Sequence, residues 1–378
     1  NFRSALAITI ENYKAKMGSF WNLPEEIIID ILSRLTAKSV GLCRCVWKPW
    51  RALLSRPEFI RTHLHRTRIL PQESLFFSDC WSSAAFAPLS NAHHLFDKIT
   101  LYPTILSFAD HPNPLSWILA SCDGLLLAEC HHVLNPVTRE IREFPPSPYL
   151  MDPFKTVSSK WGFGYDSVND DYKVVYISYY GRRLDDDDNE IEPECTEMFV
   201  SIYSLKSGSW RRAQNSPYDH SVDDEFDSGV FVDGCIHWLA GTTTDYEPAI
   251  VAFNLAEEKF YEVPSPCLIL SDRILFFHLA VLGGCLCLYN DTKNYVWVMT
   301  EYGVQKSWTM FKINEPESGE IRLLCSLGEE EVVLSRHDKK LAVYNVKKGN
   351  LKDIVVHGIA AKRAVSFTES LVSPHAWW

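Results

Sequence analysis

The residues of this 378-residue chain whose types could do chemistry fall into four groups. Cys43-Arg44-Cys45 and Cys285-Leu286-Cys287 could supply a nucleophilic thiol or zinc ligands. Cys-x-Cys pairs lack the spaced sets of a structural zinc site, and they read as ordinary thiols. Cys130-His131-His132 offers metal ligands, but adjacent side chains on a strand diverge and no second cluster completes four donors. Asp166, Asp170, Asp171 and the run Asp185 to Asp188 offer hard oxygens for calcium. They lack the spaced ligand loop of a calcium-binding hand, so they read as solvated loops. Gly162-x-Gly164 lacks the third glycine and following helix of a dinucleotide site. The expectation is therefore a chain without catalytic residues, metal or cofactor.

Composition points to a folded chain. With 46 % hydrophobic and 13 % aromatic residues the chain can bury a large core. Its longest apolar run, Leu279 to Tyr289, is broken by Gly283-Gly284 and falls short of the roughly 20 residues of a membrane span. Eleven cysteines without paired Cys-x-x-Cys spacing fit reduced, mostly buried thiols. A soluble, intracellular protein is expected, cytoplasmic and also nuclear. Residues 1–64 carry a net charge of +5, which leaves −16 for residues 65–378 out of the total of −11. Such an acidic body repels phosphate backbones, so a basic protein suits it better than nucleic acid.

The positioning elements begin with Leu23 to Leu64. Pro24 fits a first helical turn, and Glu25 and Glu26 sit at its positive end. Ile27, Ile28, Ile31, Leu32 and Leu35 then form one apolar stripe at helical spacing. Val46, Trp50, Leu53 and Leu54 repeat that spacing in a later helix, with Pro57 as its stop. Three short helices in about 45 residues make a marginal core, which a partner surface usually completes. The order Leu-Pro-Glu-Glu-Ile, Ile-Leu-Ser-Arg-Leu, Lys-Ser, Val-x-Lys-x-Trp, Pro-x-Phe closely resembles the F-box, over residues 20–64. The resemblance implies docking on a Skp1 adaptor and, through it, a cullin. Carried over by position, the adaptor-facing and helix-packing set is Leu23, Pro24, Ile28, Ile31, Leu32, Leu35, Lys38, Val46, Lys48 and Trp50. Of these, Leu23, Pro24, Leu32, Leu35 and Trp50 are expected to carry the anchoring. Pro49 departs from the family pattern, and an interior proline would cost roughly 3 kcal/mol. Met17 reads as the biological start, with residues 1–19 a leader.

From Ser74 onward short β-rich runs alternate with turns. Asp123-Gly124 and Asp233-Gly234 are strong hairpin signals. Ile141, Trp210, Phe260, Trp308 and Leu351, read as equivalent outer-strand positions, are separated by 69, 50, 48 and 43 residues. Four-stranded units at such periods are propeller blades. A sixth blade combines strands near Leu75 to Leu101 with the C-terminal run Ala364 to Leu371, closing the ring. The expected fold is α+β multidomain, a three-helix segment followed by an all-β propeller of about six blades over residues 65–373 and a short tail, 374–378.

Ser121-Cys122-Asp123-Gly124-Leu125-Leu126, Asn135-Pro136-Val137-Thr138-Arg139-Glu140, Gly162-Phe163-Gly164-Tyr165-Asp166 with Asp171-Tyr172-Lys173-Val174-Val175, Trp297-Val298-Met299, Ser307-Trp308 and Glu369-Ser370-Leu371-Val372 resemble the F-box-associated domain of plant F-box proteins. The chain is also similar to S-locus F-box and S-locus-like proteins, a likeness that implies basic pistil ribonucleases as targets. The combined resemblance implies a non-catalytic substrate receptor of a Skp1-cullin-F-box ubiquitin ligase. The acidic segment holding Arg182, Asp185, Asp186, Asp187, Asp188 and Glu190 is the candidate target-binding loop. A scaffold outside any ligase, and a propeller hydrolase or lectin, are the alternatives.

Overall fold

The computed structural model describes residues 24–70, 72–78, 84–95, 98–106, 117–129, 131–149, 157–180, 198–220, 228–242, 248–266, 277–290, 293–314, 321–336, 340–358 and 363–375. The chain divides into two compact units, Asn1–Pro71 and Gln72–Trp378. The acidic segment expected to bind targets lies outside the described residues, as do Leu23 and the leader.

Among its described residues the first unit contains four helices where three were expected. Helix α1, Glu25–Leu32, starts after Pro24, whose carbonyl accepts the amides of Ile27 and Ile28. Thr36 caps α2, Ala37–Val46, its hydroxyl accepting the Ser39 amide at 3.2 Å. The single later helix read from Val46 to Leu54 is broken: Trp47 is extended, with φ −154°, and α3 spans Lys48–Leu54. Pro49 therefore occupies the first turn of α3, where its missing N–H has no intrahelical acceptor to lose. The expected cost of an interior proline does not arise. Pro57, read as a stop, instead opens α4, Pro57–Ile69, so Leu64 lies mid-helix. Leu32, Val40, Trp50, Leu53, Leu54, Phe59 and Ile60 are buried. Arg44 donates to the Leu54 carbonyl at 2.6 Å, and Arg66 bridges to Asp30, donating to its carbonyl at 3.0 Å and pairing with its carboxylate.

Among its described residues the second unit is a ring of six sheets. Blade 2 comprises Ile118–Cys122, Leu125–Ala128, His132–Asn135 and Glu140–Glu143. Blade 3 comprises Val157–Asp166, Asp171–Tyr180, Met198–Ser204 and Ser209–Arg212. Blade 4 has Val230–Val232 and Tyr218–Asp219 end to end along one edge of Cys235–Thr242, followed by Pro248–Asn254 and Lys259–Val263. Blade 5 comprises Phe277–Leu282, Cys285–Asn290, Tyr295–Met299 and Trp308–Lys312. Blade 6 comprises Ile321–Leu327, Glu331–Arg336, Lys340–Asn345 and Asn350–Val356. Positive φ at Asp123, Gly124, Asp233 and Gly234 makes both Asp-Gly pairs the mirror-image turns that match strand twist. All five expected outer-strand residues lie on the outermost strand of their blade's four-strand run.

Blade 1 closes the ring. The C-terminal strand Arg363–Thr368 pairs with Glu73–Ser78, followed by Ala84–Pro88 and Thr104–Leu106. Lys98–Leu101, expected in the same blade, instead runs parallel to Asn350–Val356 and extends blade 6, with His93–Leu95 beyond it. Its alternation fits any half-buried strand, and a parallel partner about 250 residues away leaves no local signal. Past the closing strand, Ser74 donates to Glu369 at 2.9 Å, and the Asn135 amide donates to the carbonyls of Ser370 and Val372. A Cβ on Gly124 would meet the Thr368 carbonyl at 2.8 Å, so the blade 2 turn can touch this segment only as glycine.

Neighbouring blades share apolar clusters, such as Leu75, Phe77, Val333 and Val343 between blades 1 and 6. Between blades 2 and 3 the filling is aromatic: Phe144 stacks on Tyr203 at 4.9 Å and His131 meets Trp161 edge-on at 5.6 Å. Two outer-strand tryptophans repeat one device. Trp210 donates to the Pro145 carbonyl at 2.7 Å and Trp308 to that of Pro264 at 2.8 Å, each reaching the exit of the preceding blade.

Candidate adaptor interface and central channel

On α1, Ile27 and Ile31 are one turn apart and stand 46 % and 40 % exposed, while Leu32 on the adjacent face is 4 % exposed. On α2, Leu42 and Val46 are likewise one turn apart, at 64 % and 73 %. The inward positions of that helix are Ala37 and Val40. Each helix thus carries a second apolar ridge that its own unit does not cover. Leu35 and Trp47 are exposed at the ends of these helices, and Lys38 and Lys48 supply charge beside them.

The predicted adaptor set accordingly separates into two. Pro24, Ile31, Leu35, Lys38, Val46 and Lys48 are exposed and Ile28 is half-buried. Leu32 and Trp50, expected among the anchoring residues, belong to the interior, Trp50 at 8 % exposure. Their place is the packing that holds the ridges out. Ile27, Leu42 and Trp47 are exposed apolar residues that the predicted set left out. The signal for Leu42 was its spacing of four from both Lys38 and Val46.

Of the two histidines on α4, His63 has a structural role. His63 is buried with its ring nitrogen 3.0 Å from the Leu35 carbonyl. Burial, with Arg44 adding to it, holds its pKa below the ordinary value against that hydrogen bond. No helix among the described residues is long and apolar enough to cross a membrane.

In the propeller the inner strands leave an axial cavity of about 260 Å³. Hydroxyls stitch the blades around it: Ser121 of blade 2 donates to the Ser366 carbonyl of blade 1 at 3.1 Å, and Ser366 donates to the Leu324 carbonyl of blade 6 at 2.5 Å. His237 is buried, with Tyr302 at 2.7 Å from one ring nitrogen and the Val230 carbonyl at 3.2 Å from the other. Burial lowers its pKa to about 4. Glu73 lines the cavity, and burial raises its carboxyl to about 7 despite a hydrogen bond with Thr368.

Of the other residues singled out for chemistry, Cys130 and Asp185 to Asp188 lie outside the described residues. Cys43 and Cys45 lie on α2, Cys45 being exposed rather than buried, and Cys285 and Cys287 share one strand of blade 5. Burial pushes the thiols of Cys43, Cys235, Cys287 and Cys325 up, away from the reactive thiolate. Among the described residues no three His, Cys, Asp or Glu side chains are grouped to hold a metal.

Asp166 and Asp171 correct the expectation of solvated loops, because both are buried. Lys173 meets Asp166 at 2.7 Å and Glu258 at 2.9 Å and donates to the Leu255 carbonyl at 2.7 Å. Asp166 also accepts the amides of Val168 and Asn169, while Asp171 accepts the Ser204 hydroxyl and the Lys206 amide. The paired Asp-Tyr-Lys and Gly-Tyr-Asp phrases thus build a buried charge network joining blades 3 and 4.

Comparison with known proteins follows this division of the chain. Residues 20–67 match the F-box-like family model and residues 100–374 match the F-box associated beta propeller domain. The chain is 29 % identical to F-box protein CPR1 of Arabidopsis thaliana, over 88 % of this chain and 84 % of that protein. It is 26 % identical to an F-box/kelch-repeat protein of the same plant, over 95 % and 98 %. These relatives do not single out the S-locus group. Four described helices, two of them with an uncovered apolar ridge, a six-bladed ring closed by its C-terminal strand and both family matches have one conclusion: the chain belongs to the F-box proteins that carry an F-box associated beta propeller domain.

Proposed function

We propose that this protein is a substrate receptor of a Skp1-cullin-F-box ubiquitin ligase. The helical unit docks on a Skp1-type adaptor, the propeller holds a target protein, and a conjugating enzyme carried elsewhere in the assembly modifies the target. Catalysis is by positioning, since tethering two partners raises their effective concentration without side-chain chemistry in the receptor. The observation that carries this reading is the pair of uncovered ridges, Ile27/Ile31 and Leu42/Val46, on a unit whose interior is already packed. Apolar surface of this kind marks an interaction site. The acidic propeller favours a basic target, which a pistil ribonuclease would be.

Recombinant chain mixed with a Skp1-type adaptor and cullin should recover all three together. A Leu23→Ala, Pro24→Ala variant should recover less adaptor while its propeller melts unchanged. Full recovery by that variant, or none by the native chain, contradicts the reading and favours a scaffold outside any ligase.

A further inference from the structure

Among the described residues one carboxyl group lines the central cavity, and its environment is unfinished. Glu73 is the first residue of the strand that pairs with the closing strand, opposite Thr368, and it lines the axial cavity. Among the described residues no arginine, lysine or histidine forms an ion pair with it, unlike Asp166, which has Lys173. The other titratable groups on the cavity wall are Arg322, His237, His278, Tyr289 and Cys325. Arg322 is exposed to solvent, His237 is engaged by Tyr302 and Val230, and His278 lies against the Tyr289 ring at 5.3 Å. Cys325 is buried beside Glu73 and offers no positive charge. Glu73 is half-buried on this wall; a carboxyl partly withdrawn from water without a cation beside it is disfavoured in its charged form, and a cation entering that space restores it.

We propose that the channel receives one basic side chain, a lysine or arginine projecting from the captured target protein, with the Glu73 carboxylate as its counter-ion. The cavity volume of about 260 Å³ lies below the roughly 300–1,000 Å³ of pockets for drug-sized ligands, which suits a single inserted side chain. The charge of −16 over residues 65–378 draws basic proteins towards the ring, and the channel adds a specific counter-charge. This inference rests on the receptor reading above, since it assigns part of the target-binding surface.

The test uses the full chain on a synthetic peptide array in which every sequence is made with a central lysine, arginine or acetyllysine. The native protein should retain lysine and arginine peptides about tenfold more strongly than their acetyllysine counterparts, a difference of about 1.4 kcal/mol in binding free energy. That preference should collapse in Glu73→Gln, which keeps a hydrogen-bonding partner for Thr368. It should also fade in the native protein between about pH 7.5 and 5.5, as Glu73 takes up a proton. The pH series on native protein decides the matter if Glu73→Gln does not fold. Equal retention of acetyllysine peptides, a preference that survives Glu73→Gln or is flat with pH, or retention of no peptide at all would overturn the proposal. Adaptor capture by the same preparations separates the two claims. Intact capture without lysine preference refutes only the channel, and lost capture by native protein refutes the receptor reading.

Discussion

The two units of this chain solve the problem of apolar surface in opposite ways. Among the described residues eight large apolar side chains are exposed between Ile27 and Leu70, against seven in the whole of the larger propeller. The propeller turns its apolar strands towards neighbouring blades and then abolishes its open edge by pairing Arg363–Thr368 with Glu73–Ser78. The helical unit also has a core, yet two of its helices carry a second ridge facing outward. The difference locates the uncovered apolar surface of the described residues mainly on the helical unit.

The comparison breaks first where the ring is closed. Phe367 is buried on the closing strand and meets Phe86 edge-on at 5.9 Å. Phe367→Ala should lower propeller stability by about 3–5 kcal/mol, read as a fall in the urea midpoint. Next is the buried network. Lys173→Met strands Asp166 without its cation and should cost about 3 kcal/mol in the same assay.

A pH series sharpens this second case. Burial alone would raise the Asp166 carboxyl, but hydrogen bonds from Lys173 and Asn169 outweigh it and hold the group below the usual carboxylate range. Because the folded value lies below the unfolded one, the pairing stabilises the protein above the unfolded pKa of about 4 and is lost as pH falls through the folded value. Asp166→Asn should therefore flatten the fall in stability below about pH 4; an unchanged acid limb would remove Asp166 from the account.

The smallest effects belong to the helical surface. Leu42→Ser, at an exposed site, and Pro49→Ala, in a first turn, should each change stability by no more than about 0.5 kcal/mol. A loss of several kcal/mol at Leu42 would mean that the ridge is part of a core.

Much of the architecture was legible because it is periodic. Trp210 and Trp308 mark outer strands and the Asp-Gly turns mark inner hairpins, each by local chemistry that recurs from blade to blade. The helical ridges were legible too, although spacing alone did not say which residues face inward. Leu32 and Ile31 are neighbours on one stripe, and only tertiary packing decides that Leu32 is covered. What escaped was long-range or conformational. Lys98–Leu101 joins blade 6 through a parallel pairing that no local pattern encodes. Trp47 breaks a helix by adopting an extended backbone, which turns Pro49 from a defect into a first-turn residue. Asp166 and Asp171 look like loop acids until Lys173 is brought to them.

The central claim, that the outward ridges of α1 and α2 bind an adaptor, is tested most directly by calorimetric titration of a purified Skp1-type adaptor into the full chain and into an Ile31→Asp, Val46→Asp variant. The native chain should bind, and the variant should lose about 2 kcal/mol or more, roughly thirtyfold in Kd, with the propeller melting unchanged. Equal binding by both proteins, or none by the native chain, would contradict it.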